Sequence, residues 1–190
     1  LTKQAAGTLV LGAANTGWTG QFNINSGVVR VSAANQLTSG TVNIGGMTAA
    51  LELSGGITLA NAVSLTNTAD WANITGVDSL GALRSVSGVN AISGTTTLVN
   101  PTPSADSVNR YFGFGADLNA ALTLGRIEFS HASGGTNRNS FVYLLGKGTI
   151  NLGGVFDNTA GTLGNHFVYQ VDDNVVNLTA ANALLESNYR

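Results

Sequence analysis

The feature that most restricts this chain is the shortness of its apolar alternations. Leu9/Leu11, Phe22/Ile24, Val29/Val31, Val42/Ile44, Leu51/Leu53, Ile57/Leu59 and Val63/Leu65 are pairs two residues apart. Between them stand Val10, Asn23, Arg30, Asn43, Glu52, Thr58 and Ser64. Period two marks strands with one buried face. Each run is closed within a few residues by Gly, Asn or Ser, so each strand has little surface of its own to bury. A hairpin sandwich is poorly served by such strands. A solenoid, where one side of a coil is one short strand, uses them directly.

Repetition supports the solenoid. Gly-Thr-apolar-x-apolar occurs at Gly7–Leu11, Gly40–Ile44 and Gly148–Leu152. Ala-Ala-Asn-x-Leu occurs at Ala33–Leu37 and at Ala180–Leu184, each directly after an apolar strand. A coil cannot bury its own apolar face, so its neighbours must complete the core. Stacked Asn and Thr can then form ladders along the axis.

Composition narrows the function classes. Charged residues are 9% of the chain, against roughly 25% in an ordinary domain. No apolar run approaches the ~20 residues of a spanning helix, so no transmembrane segment is expected. The eight Lys and Arg residues are scattered and the net charge is −2, which argues against nucleic acid as a partner. There is no Cys, hence no disulfide framework and no thiolate metal site.

The middle of the chain is less regular. Asn100–Arg110 ("NPTPSADSVNR") holds both prolines and reads as an exposed insertion, and Ser130–Ser140 ("SHASGGTNRNS") as a second polar loop. Strand character resumes in "FVYLL", "GTINL", "HFVYQV" and "NVVNL". The terminal "LTAANALLESNYR" is either a short helix capped by Thr179 or, by its match to Ala33–Leu37, another turn.

Residues 1–44 carry a resemblance. Leu1-Thr2-Lys3, Gly7-Thr8-Leu9, Asn15-Thr16, Thr19-Gly20, Gly27–Val31 and Ser39-Gly40-Thr41-Val42 follow the pattern of the autotransporter-associated β-strand repeat family. Ala5 stands where that family has Gly, and Gly17-Trp18 where it has a single Tyr. "GALRSVSG" (Gly81–Gly88) is similar to the segment that often follows. The resemblance is good over about residues 1–65, fair to about 98 and faint afterwards. It implies a right-handed parallel β-helix in an exported protein at the surface of a Gram-negative-type bacterium. The family shares no catalytic residues that could be carried over.

Candidate chemistry is sparse. "GAANTG" and "GFGADL" lack the spacing of a phosphate loop, and their glycines read as turn corners. "GGTNRN" at Gly134–Asn139 lacks the Asp of a calcium roll. Asp172 and Asp173 are adjacent, so in a strand they would point to opposite faces and in a turn they would be solvated. His131 and His166 have no metal-ligand spacing. Asp117, Glu128 and His131 could converge near the loops, as a polysaccharide-cleaving site would require. Trp18, Trp71, Tyr111, Phe112, Phe114, Tyr143 and Tyr169 are either core or sugar-stacking rings. Trp18, Trp71 and Tyr111 are the candidate carbohydrate-binding residues; no catalytic residue, metal or cofactor is assigned.

These readings converge on an all-β fold, a right-handed parallel β-helix of about 7–9 coils at ~4.8 Å per coil. It is divided into family-like coils (1–98), coils with exposed insertions (99–140) and further coils (141–190) within one solenoid segment. The expected function is a non-enzymatic stalk, adhesin scaffold or fibre subunit, part of a longer exported protein. Neither end shows a polar cap, so the expected partners are copies stacking end to end or neighbouring coils, with host or matrix glycans as further ligands. The alternative is a carbohydrate-binding or polysaccharide-cleaving β-helix acting through residues 100–117 and 130–140.

Overall fold

The computed structural model describes residues 1–37, 39–67, 73–100, 108–131, 138–154, 156–158 and 164–179. The alternating runs are strands. In chain order they are β1 (Thr2–Lys3), β2 (Thr8–Val10), β3 (Phe22–Ile24), β4 (Gly27–Val31), β5 (Val42–Ile44) and β6 (Ala49–Ser54). Then come β7 (Thr58–Leu59), β8 (Val63–Thr66), β9 (Asn73–Ile74), β10 (Leu83–Ser87), β11 (Val89–Asn100) and β12 (Val108–Ala116). The last are β13 (Ala121–His131), β14 (Arg138–Gly146), β15 (Thr149–Leu152), β16 (Phe156–Asn158), β17 (Gly164–Gln170) and β18 (Val175–Leu178). Among the described residues there is no α-helix, only single 3-10 turns at Ala34–Gln36 and Val77–Ser79.

The strands form two sheets. The first runs β1-β3-β5-β8-β11-β13-β15-β18, with β7 and β16 alongside, and the second β2-β4-β6-β10-β12-β14-β17, with β9 alongside. Every pairing in both sheets is parallel. Parallel neighbours cannot be joined by a tight hairpin; the chain must cross over between them. Here the crossover is a strand of the other sheet, so the chain winds as a β-solenoid.

The winding is uneven. Asn23 pairs with Thr2, Asn43 with Asn23 and Ser64 with Asn43, returns of 21, 20 and 21 residues. Thr96 then pairs with Val63, a return of 33 residues. Later returns from Ala121 to Thr149 and from Thr149 to Val175 take 28 and 26. The expected count of 7–9 coils assumed one short size throughout and differs from what is seen: the solenoid holds about three turns of the even kind. Longer strands and corners after Ser64 are the reason, since β11, β12, β13 and β14 each run nine residues or more.

Inward residues stack in columns. Phe22, Val42 and Val63 are in register on the first sheet, as are Ile24, Ile44 and Leu65, and all are buried. Facing them, Leu9, Val29, Leu51, Leu83, Phe114 and Leu144 form one column of the second sheet. The last five are fully buried and Leu9 packs on them from the end. Each such side chain is worth about 1.5–3 kcal/mol of burial, which short strands obtain only by stacking. Outward polar residues pair along the axis too. Asn43 Nδ2 donates to Asn23 Oδ1 (3.4 Å) and Thr66 Oγ1 to Asn43 Oδ1 (2.8 Å). Asn177 donates to Asn151 (2.8 Å), which donates to Thr123 (3.0 Å).

Several local expectations change. The Gly-Thr motif does not mark one place in the coil, because Thr8–Val10 lies in the second sheet and Val42–Ile44 and Thr149–Leu152 in the first. The motif encodes a corner followed by a strand, whichever side follows. Within the expected insertions, Val108–Arg110, Ser130–His131 and Arg138–Ser140 are strand; 101–107 and 132–137 lie outside the described residues. Gly27 is a true corner, at φ +71. Gly113 and Gly115 of "GFGADL" are instead strand residues without positive φ. Gly115 is needed for space, since a Cβ there would lie 1.9 Å from the Leu80 carbonyl oxygen. The second Ala-Ala-Asn-x-Leu, and with it the question of a terminal helix, lies outside the described residues.

Candidate functional site

The second sheet's outer face is divided by its sequence into two chemically different halves. In the earlier coils its outward positions carry charge. Arg30 pairs in register with Glu52, and Glu52 with Arg84. Glu52 Oε2 accepts from Arg30 Nη2 (2.6 Å) and Nε (2.8 Å), and its Oε1 accepts from Arg84 Nη1 (3.2 Å). Arg84 continues to Asp117 with two bonds of 2.8 Å. Alternating charge thus runs from coil to coil as a ladder, with Glu52 buried between two guanidinium groups.

In the later coils the same face carries rings. Along β12 the side chains of Arg110, Phe112 and Phe114 are buried inward, so Asn109, Tyr111 and Gly113 face out. In register on β14 stand Asn139, Phe141 and Tyr143, and on β17 Phe167 and Tyr169. Tyr111, Phe141 and Phe167 form one column, with centroids 4.8 and 5.0 Å apart and planes 19° and 13° apart. Beside it Tyr143 and Tyr169 form a second column, 5.9 Å apart and at 71°. Tyr143 lies 5.6 Å from Tyr111, and Tyr169 5.9 Å from Phe141, so the five rings make one continuous strip. All five are half-buried. None of the three phenol hydroxyls makes a hydrogen bond to a described residue. Partial burial, reinforced by Tyr111 and Tyr169, pushes the Tyr143 phenol above its usual value. Asn139 Nδ2 donates to Asn109 Oδ1 (2.8 Å), so an amide ladder borders the strip.

Of the residues singled out from sequence, Tyr111, Tyr143 and Tyr169 come together here. Phe112 and Phe114 do not; they fill the core at 0% exposure. Trp18 sits on an early corner, half-buried, with its ring 6.3 Å from Phe22 and folded over Gly20. Its backbone N–H closes a turn on Asn15 O (3.2 Å), which places it apart from the strip. Trp71 lies outside the described residues. Phe141 and Phe167 were passed over in sequence, although "FVY" at Phe141–Tyr143 recurs at Phe167–Tyr169 and repeats the outward-inward-outward pattern.

The acidic groups are dispersed. Asp117 is taken by Arg84, Glu128 by Arg126 on the other sheet, and Asp172 accepts from the Gly146 backbone N–H (2.7 Å). Asp172 and Asp173 are exposed between β17 and β18, as a solvated turn requires. The His131 and His166 side chains lie outside what is described. No group of three His, Asp or Glu side chains able to hold a metal ion occurs among the described residues. No helix among them is long and apolar enough to cross a membrane. Inside the solenoid, buried Arg110 donates to Asn100 Oδ1 (3.3 Å), a polar contact where β11 ends and β12 begins. Comparison with family models, curated proteins and solved structures returned no match to this chain.

Proposed function

We propose that this chain is a non-enzymatic structural segment of an exported bacterial surface or extracellular protein, a stalk or adhesin scaffold of the autotransporter-repeat kind wound as a right-handed β-helix. The observation that carries the reading is the continuity of its coil-to-coil bonding. Parallel backbone ladders run the length of both sheets, and side-chain ladders of Asn and Thr, of alternating charge and of aromatic rings reinforce them on the outside. Bonding of this kind extends a rod along one axis and resists separation of its coils, which is the mechanical task of a stalk. Low charge and the Gly-Thr-Leu and Ser-Gly-Thr-Val matches of residues 1–44 support the same assignment.

Copies or neighbouring coils are the proposed partners at the ends, because an unpaired parallel edge templates a further strand. Antibodies raised against the chain test its placement: labelling of intact cells of the source organism is expected, and signal only after lysis overturns it. Light scattering across a wide concentration range tests the stacking. Growth into rods with concentration is expected, and a monodisperse monomer throughout removes the end-to-end partner.

A further inference from the structure

The neutral aromatic strip is not needed to explain a stalk. The inward columns supply the core, and the earlier coils hold together with charge where the later ones have rings. We propose that Tyr111, Phe141, Tyr143, Phe167 and Tyr169, with the Asn109–Asn139 ladder, form a binding surface for a neutral polysaccharide chain.

Three observations select that ligand. The outward positions of the strip, Asn109, Tyr111, Asn139, Phe141, Tyr143, Phe167 and Tyr169, contain no charge, whereas the same sheet face carries the Arg30–Glu52–Arg84–Asp117 ladder in the earlier coils. A polyanion or a charged peptide finds nothing there to pair with. The chemistry is amphipathic in the sense a pyranose needs: ring surface for its C–H face, and phenol hydroxyls and carboxamides for its hydroxyls. The three phenols spend no hydrogen bond on described residues, and a Tyr tip without a partner is fitted to an interface. Within the first column stacking covers ring faces, but Tyr143 and Tyr169 stand at 71°, so one of them turns a face away from its neighbour.

Size argues against a macromolecular partner. Three strands ~4.8 Å apart and two columns two residues apart make a patch on the order of 150 Å². A stable protein–protein interface needs about 800 Å² on each side, so neither a second copy nor a folded partner is held by this strip. One glycan chain a few sugar units long covers it.

The test is affinity electrophoresis of the 190-residue chain through gels containing soluble mixed-linkage β-glucan, galactomannan or dextran, with alginate as the polyanion. Retardation by at least one neutral polymer and none by alginate is expected. The Tyr143→Ala/Tyr169→Ala double variant should weaken it about 10-fold or more, the sum of two aromatic contacts. Tyr143→Phe/Tyr169→Phe keeps both rings in the ladder and tests the hydroxyls even where the alanine pair fails to fold; a loss of a few-fold is expected. Trp18→Ala, on its distant corner, should leave retardation unchanged. No retardation by any neutral polymer, retardation by alginate alone, or retardation that neither tyrosine pair alters overturns the assignment.

Discussion

Removing the side chain of Asn90 should cost far more than its size suggests. Asn90 lies near the start of β11, fully buried among corners where the backbone leaves the ladders. Its Oδ1 accepts from Gly56 N (3.0 Å) and Ile57 N (2.8 Å). Its Nδ2 donates to Ser85 Oγ (2.7 Å) and Ser87 O (2.8 Å). One amide therefore fastens two corners of adjacent coils. In Asn90→Ala all four bonds go. The Gly56 and Ser87 bonds are only partly buried, so water can replace the lost partner there. The Ile57 N–H and Ser85 hydroxyl bonds are buried, and each group left unsatisfied costs about 1–3 kcal/mol. The expected loss is about 4 kcal/mol, or roughly 10³ in protection if it falls on the local opening reaction. Hydrogen exchange of the Ile57 amide is the sharper assay, because solenoids open coil by coil and a global unfolding free energy averages over them. Urea unfolding of Asn90→Ala, Ser85→Ala and the double variant gives the coupling between the two side chains. A loss under about 1 kcal/mol with unchanged Ile57 protection would refute the reasoning, and would mean that water supplies these corners as well as Asn90 does.

Glu52→Gln should cost about 1.5–3 kcal/mol, since a buried carboxylate holding two guanidinium groups is replaced by a neutral amide. Urea unfolding at low and high salt checks it, and the variant should be the less salt-sensitive protein. Gly115→Ala forces a Cβ to 1.9 Å from the Leu80 carbonyl oxygen and should lose about 1–3 kcal/mol. Gly12→Ala, where nothing lies within 4 Å, should stay within about 0.5 kcal/mol; thermal melts compare the two. The Tyr143 phenol titrates above its unfolded value, so folding favours its protonated form. That stability is fully present below the unfolded value and is lost as pH rises through the folded one. Tyr143→Phe should accordingly flatten the alkaline limb of a stability-against-pH curve while leaving neutral pH nearly unaffected.

What was legible in sequence and what was not divides along the two faces of each strand. The inward face announces itself locally. Phe22/Ile24, Val42/Ile44, Leu51/Leu53 and Val63/Leu65 need only period two to be recognised, and each is buried as that pattern requires. Leu9 and Leu11 are less buried than the rest because they belong to the coil at the end of the stack. Buried polar residues gave no such signal. Asn90 and Arg110 occupy inward positions, and nothing in their neighbours separates them from outward Asn and Arg.

The outward face depends on register between strands distant in sequence, and register depends on coil length. Tyr111 meets Phe141 across 30 residues and Phe141 meets Phe167 across 26. A reader assuming the 20- and 21-residue returns of the first coils would pair none of these rings. The separation of charge from rings on one sheet face is hidden for the same reason: Arg84 reaches Glu52 across 32 residues and Asp117 across 33. In a solenoid the core is written in each strand, while any surface that binds is written across coils. A change of corner length would therefore leave the buried columns recognisable and still dismantle the strip. Deleting one residue between β14 and β17 would have to be absorbed in the corner for Phe167 to stay beneath Phe141. If it is absorbed instead by a one-residue slip of β17, Val168 turns outward and the ring column ends at Phe141.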